Sequence, residues 1–176
     1  GHIKDLPGKD LGIDIDNDFK PQYRTIPGKS KVLSQLKSAA GDATDIYLAP
    51  DPDREGEAIA WHTAEVLKKK GRTFHRVLFH ELTKKAIIDA MQHSQELDRD
   101  KYEAQQARRI LDRLVGYQIS PLLWRKVKGG LSAGRVQSVA VRIICDRERA
   151  IQAFTPVEYW SISADLKGDV PPAFTA

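Results

Sequence analysis

Apolar residues recur at helical spacing over residues 30–40, where Val32, Leu33, Leu36, Ala39 and Ala40 share one face and Gly41 supplies a stop. The short apolar run Ile46-Tyr47-Leu48-Ala49 then reads as a buried strand, broken by Pro50-Asp51-Pro52-Asp53. A helix is predicted over residues 55–70, closed by Gly71. Residues 76–82 read as a strand, with Val77 and Phe79 alternating against polar neighbours, and Thr83 is placed to cap a helix over residues 84–92. Helix, strand, helix, strand, helix in succession predicts an α/β domain with a mostly parallel sheet. Ahead of it, residues 1–21 are rich in Asp, Gly and Pro and read as loop, with a short strand at 23–26 stopped by Pro27-Gly28.

After Ser94 the pattern changes. Residues 98–116 are predicted helical, with Ala107, Ile110, Leu111, Leu114 and Val115 forming an apolar stripe. Residues 122–127 and 136–153 are further helices, separated by a glycine-rich stretch at 128–134, and residues 159–164 alternate like a strand. The expected organisation is an α/β domain over 1–95, an all-α domain over 96–155, and the start of another domain over 156–176. The lack of a leading strand predicts an α/β domain incomplete at its N-terminus.

Composition narrows the classes only a little. Hydrophobic residues are 41% and charged residues 30%, as in ordinary globular proteins. No stretch approaches a membrane span of roughly 20 apolar residues, and the N-terminus has no apolar core of a secretory signal, so a cytoplasmic setting is expected. Cys145 is the only cysteine, which excludes an internal disulfide and a cysteine-based zinc site. The net charge of +4 fits a polyanionic partner weakly. Its distribution says more: cations outnumber acids over residues 108–149, while acids crowd residues 51–57.

That acidic crowd, Asp51-Pro-Asp-Arg-Glu-Gly-Glu57, sits between a strand and a helix. Alternation is expected to point Asp51, Asp53 and Glu55 to one side. Carboxylates about 5 Å apart repel by about 3 kcal/mol per pair at an effective dielectric of 20, while a helix N-terminus returns only about 0.3–1 kcal/mol each. A dication with a taste for hard oxygens, Mg²⁺ or Ca²⁺, would resolve the imbalance. Plain N-terminal capping is the common alternative. A calcium loop of the EF-hand kind fails, because its twelfth position would be His62 and a strand, not a helix, precedes it. Position at the carboxyl end of a sheet strand favours Mg²⁺.

On the helix at 98–116, Arg109 and Arg113 lie one turn apart. By pattern alone they read as a solvated face with an Arg108–Asp112 pair. The glycine-rich approach to Gly134-Arg135-Val136-Gln137-Ser138 differs, because backbone N–H groups there, with Ser132 and Arg135, suit a phosphate.

Four strings in order carry a resemblance. Residues 51–62, Asp-Pro-Asp-Arg-Glu-Gly-Glu-Ala-Ile-Ala-Trp-His, resemble the acidic motif of TOPRIM domains in type IA DNA topoisomerases. Residues 76–83, 107–117 and 131–138 resemble further motifs of that family, and Ser120-Pro-Leu-Leu-Trp with Ser138-Val-Ala-Val-Arg is similar to its bacterial topoisomerase I branch. The resemblance implies a Rossmann-like TOPRIM domain followed by an all-α DNA-binding domain. It implies relaxation of negatively supercoiled DNA by transient single-strand cleavage through a 5′-phosphotyrosine, strand passage and religation, without a nucleotide cofactor. Mg²⁺ would be held by Asp51, Asp53 and Glu55. Arg113 would position the scissile phosphate, with Arg76 assisting. His2, Arg109, Ile110, Gln118, Arg125, Ser132, Ala133, Gly134, Arg135, Val136 and Gln137 match DNA-contacting positions. The partner would be single-stranded or negatively supercoiled DNA, met by a monomer associated with the nucleoid.

The family's first strand, with its acidic-site Glu, would precede Gly1, and its tyrosine nucleophile lies in an Arg-Thr-Asp-Ser context not found here. Tyr23, Tyr47, Tyr102, Tyr117 and Tyr159 are expected to be structural or surface residues, so the chain alone is expected not to cut DNA. A stand-alone nucleic-acid-binding module and a TOPRIM nuclease are the alternatives.

Overall fold

The computed structural model describes residues 1–168 and 174–175. They form two compact units, Gly1–Arg135 and Val136–Ala176.

In the first unit the opening residues are not the predicted loop. β1 (Lys4–Asp5) pairs antiparallel with β4 (Arg24–Thr25), and β2 (Ile13–Asp14) pairs antiparallel with β3 (Lys20–Pro21). The Asp- and Gly-rich composition hides three apolar anchors, since Ile3, Leu6 and Ile13 are all buried. Asp18 and Phe19 adopt positive φ and turn the chain between β2 and β3.

α1 (Ser30–Ala40) ends as the pattern requires, with Gly41 at φ 36° and its N–H on the Lys37 carbonyl. β5 (Asp45–Leu48) runs parallel to β6 (Thr73–Arg76), in the register Asp45↔Thr73 to Leu48↔Arg76. β6 therefore ends where the predicted strand was to begin. After Arg76 the ladder partner is gone: Val77 N–H still reaches Leu48 O, while Arg76 bridges to Gln95. Between the strands lies α2 (Arg54–Leu67), whose small Ala60 and Ala64 let it close on Leu48, with Ile46, Phe74 and Leu97 around them. α3 (Lys84–Gln92) is capped by Thr83 Oγ1, which accepts from Ala86 N–H at 3.2 Å.

α4 (Arg99–Lys126) is one helix of 28 residues running through Pro121, where two shorter helices were predicted. A proline inside a helix removes one ladder bond. The last turn is closed beyond it by Val127 and Lys128, whose N–H groups both reach Leu123 O. The expected apolar stripe is only partly covered, with Ile110, Leu114 and Val115 half-buried. Ala107 and Leu111 are exposed, whereas Tyr102, Gln105, Arg113 and Ser120 are buried. What α4 packs on, α2 and the segment after β1, offers carboxylates and carbonyls, so polar residues face inward and find partners.

The second unit holds most of α5 (Arg135–Gln152) and a two-stranded pair, β7 (Asp165–Leu166) with β8 (Phe174–Thr175). The strand predicted at 159–164 is not formed. Tyr159, Trp160 and Ile162 are at least 84% exposed, and an alternating run becomes a strand only where a neighbour completes its hydrogen bonds.

Candidate nucleic-acid interface

The acidic loop joins β5 to α2, and its backbone is held from beneath. Arg76 is 1% exposed, and its guanidinium donates to Glu57 Oε2 at 2.7 Å, Pro50 O at 2.7 Å and Asp51 O at 2.6 Å. Further bonds reach the Leu48 and Val77 carbonyls. Glu57 uses its other oxygen to accept from Asp98 N–H, the cap of α4, at 2.8 Å. Gly56 is required by space: a Cβ there would lie 2.0 Å from the Asp51 carbonyl oxygen.

Arg76 thus departs from the expectation that it meets DNA. Its nitrogens are consumed by internal acceptors and it has almost no surface.

The three carboxylates expected to bind a cation do not lie together. Asp53 caps α2, its Oδ1 accepting from Gly56 N–H at 2.7 Å, and Asp51 is exposed. Glu55 instead lies in a cleft, where Oε2 meets His2 Nε2 and the Gln105 side-chain amide, each at 3.2 Å. Helical geometry from Arg54 onward turns Glu55 away from the extended Asp53, so alternation stops applying at the cap. The donors are hard oxygens of the type Mg²⁺ takes. Among the described residues, however, no three His, Cys, Asp or Glu side chains gather closely enough to hold a metal ion. The donor set fits in kind and not in arrangement.

The cleft is about 280 Å³ and joins the acidic loop to α4. His2, Lys4 and Asp5 line it from the N-terminal segment, Glu55 and His62 from α2, and Gln105, Arg108, Arg109 and Asp112 from α4. Arg109 makes a two-pronged pair with Asp5, 2.8 and 2.6 Å. Burial pushes the Asp5 carboxyl up, but the Arg109 hydrogen bond, the Leu6 amide and the charges of Arg109 and Arg113 outweigh it and leave it below the usual range. The same bond raises Arg109. At the cleft wall His62 is buried with Tyr23 and Tyr102 edge-on to its ring, and burial pulls it down to about 4.

Arg113 lies one turn along α4. Its Nη1 donates to Pro7 O, Asp10 O and Tyr117 Oη, and its guanidinium sits 4.9 Å from the Tyr117 ring centre. Tyr117 in turn donates to Gly8 O. The residue expected to grip a phosphate is already anchored through one nitrogen. Arg108 and Asp112, predicted to pair, are 3.9 Å apart; Asp112 prefers Arg135 at 2.6 Å, whose hydrogen bond lowers its pKa.

The 131–137 stretch returns to α4 through Ala133 N–H on Ser120 Oγ and the Trp124 indole N–H on Leu131 O. Ala133 is buried, Gly134 and Arg135 are half-buried, and Ser132, Val136 and Gln137 are exposed. Gln118 and Arg125 are exposed on α4, and Ile110 and His2 are half-buried. Sequence reasoning missed Asp5, Glu57 and Gln105 as parts of this site. Glu57 lay within the acidic motif and Asp5 beside His2, but nothing in the spacing marked Gln105, which is drawn in by the packing of α4 on α2.

These features define a class. Residues 1–82 match the Toprim domain family and residues 96–173 match the DNA topoisomerase family. The structure is similar to full-length topoisomerase I from Thermotoga maritima, with 50% identity and a TM-score of 0.79 over 88% of this chain. The chain spans 26% of that protein's length. It belongs to the bacterial type IA DNA topoisomerase family, with an α/β Toprim domain followed by a helical region.

Proposed function

We propose that the chain supplies single-strand DNA binding and a divalent-cation site to a type IA topoisomerase that relaxes negatively supercoiled DNA. The observation that carries this reading is the 3.2 Å contact between Gln105 and Glu55, which brings the acidic motif and the arginine-bearing helix to one cleft. A phosphate wants cations near it and a religating enzyme wants a hard dication beside it. The two halves of that requirement meet here.

The side chains divide the work. Arg109, paired with Asp5 through Nε and Nη2, leaves Nη1 for a backbone phosphate, while Arg113 keeps Nη2 for the phosphate to be cut and is itself fixed through Tyr117 and the Pro7 and Asp10 carbonyls. His2, on Glu55, marks the opposite side of the strand path. Gln118, Arg125, Ile110 and residues 132–137 extend the contact along the backbone, Ser132 and the Gly134-Arg135 amides meeting phosphate. Asp51, Asp53 and Glu55 would hold Mg²⁺, which when bound neutralises phosphate charge near the break. The carboxylates must draw together to do so. Cleavage through a 5′-phosphotyrosine, without a nucleotide cofactor, would use a tyrosine other than Tyr23, Tyr47, Tyr102, Tyr117 and Tyr159, so this chain alone binds and does not cut. An enzyme of this kind works on the nucleoid. Among the described residues no helix is long and apolar enough to cross a membrane.

The test is a gel. Labelled single-stranded DNA mixed with the chain and Mg²⁺ should be retarded and stay intact. Free 5′-phosphate ends would make the chain a nuclease, and no retardation at low salt would end the DNA-binding reading.

A further inference from the structure

Glu57 and Arg76 are both 1% exposed and form a buried ion pair. Burying two charges is costly, and an apolar pair of similar volume is often at least as stable. What an apolar pair could not do is hold polar atoms from separate segments. Arg76 grips the carbonyls of Leu48, Pro50 and Asp51 ahead of α2 and that of Val77 after β6, while Glu57 receives the Asp98 N–H that opens α4. The acidic loop and the arginine helix are fastened to the same two side chains.

We propose that Glu57 and Arg76 are positioning residues that fix the acidic loop in register with α4, so that the 51–55 carboxylates and the α4 arginines meet a DNA strand as one frame. Neither needs to touch the strand. The DNA half of this inference rests on the single-strand reading above; the loop half does not.

Two variants test it on the whole chain. Arg76→Lys keeps the charge beside Glu57 but loses the spread of donors that holds Pro50 and Asp51. The double variant Glu57→Met/Arg76→Met removes both charges without leaving either one unpaired. Backbone amide exchange, thermal melting and the salt dependence of binding to a single-stranded oligonucleotide are measured for each. Melting should stay cooperative, while amides of residues 53–57 and 98–101 exchange roughly tenfold faster and those of α1 and α3 keep their protection. Oligonucleotide affinity should fall severalfold. The salt slope of the double variant should match that of the unmodified chain, because no phosphate contact is lost.

Exchange unchanged in a folded variant would overturn the proposal. So would a slope smaller by about one phosphate, since Arg76 would then be a direct contact, and so would loss of cooperative melting in both variants, since the pair would then hold the fold at large. If the unmodified chain fails to bind the oligonucleotide, the single-strand reading falls while amide exchange still decides the positioning role.

Discussion

His62 shows how burial sets chemistry at one residue. It is 2% exposed, its Nδ1 has no partner among the described residues, and its folded pKa lies near 4 against an ordinary 6.5. Between those values the unfolded chain binds more protons than the folded one, so stability rises with pH. The contribution is complete above about pH 6.5 and is lost as pH falls through 4, on the order of 3 kcal/mol in all. Urea unfolding at pH 7 and pH 4.5 should show that loss, and His62→Gln should remove most of the difference. A variant with the same pH dependence would place the titrating group elsewhere. Asp5 acts differently. It occupies Arg109 with a carboxylate at 2.6 Å, in competition with any phosphate. Asp5→Asn should therefore raise affinity for single-stranded DNA severalfold at low salt, read by fluorescence anisotropy; a fall in affinity would mean that Arg109 depends on Asp5 for its aim.

At the scale of elements, the loop between β5 and α2 is built around a glycine with no room for anything larger. In Gly56→Ala the new methyl would meet Asp51 backbone atoms at 2.0 and 2.9 Å, which cannot rotate aside. Overpacking of this kind costs about 1–3 kcal/mol, and alanine's better helix propensity recovers only about 1 kcal/mol. Equilibrium unfolding should show net destabilisation, and a variant as stable as the parent would mean that the loop is not held closed. The elements themselves were unevenly legible. α1 and α3 followed from a stop at Gly41 and a cap at Thr83, because these signals are local, whereas α2 ends at Leu67 with Lys68 as its C-cap, short of the limit expected at Gly71. β6 shifted because strand limits are set by the partner's length, and Leu48 ends β5. α4 was misjudged in two ways. Pro121 reads as a break but is tolerated near the end of a long helix, and the apolar stripe reads as core although Arg113, Gln105 and Ser120 face inward. Inward polar faces are invisible to periodicity, since nothing in a sequence says that the facing surface will supply carbonyls and carboxylates.

Across the whole molecule, the motifs identified the family while the geometry reassigned individual residues. Arg76 moved from contact to scaffold. Glu55 lies apart from Asp51 and Asp53, in a cleft shared with His2 and Gln105, so a cation would have to draw the three together. Motif matching preserves residue identity but not the direction of a side chain, which is decided where α2 begins. The claim that remains central is that this cleft receives a sugar-phosphate strand through α4. Its most direct measurement is the affinity of the chain for a single-stranded oligonucleotide over a range of salt, with and without Arg109→Ala. The logarithm of affinity should fall linearly with that of salt, with about 0.7 of slope per phosphate neutralised, and the variant should lose roughly one such contact on every sequence tested. Binding that ignores salt, or a slope that Arg109→Ala leaves intact, would contradict the account.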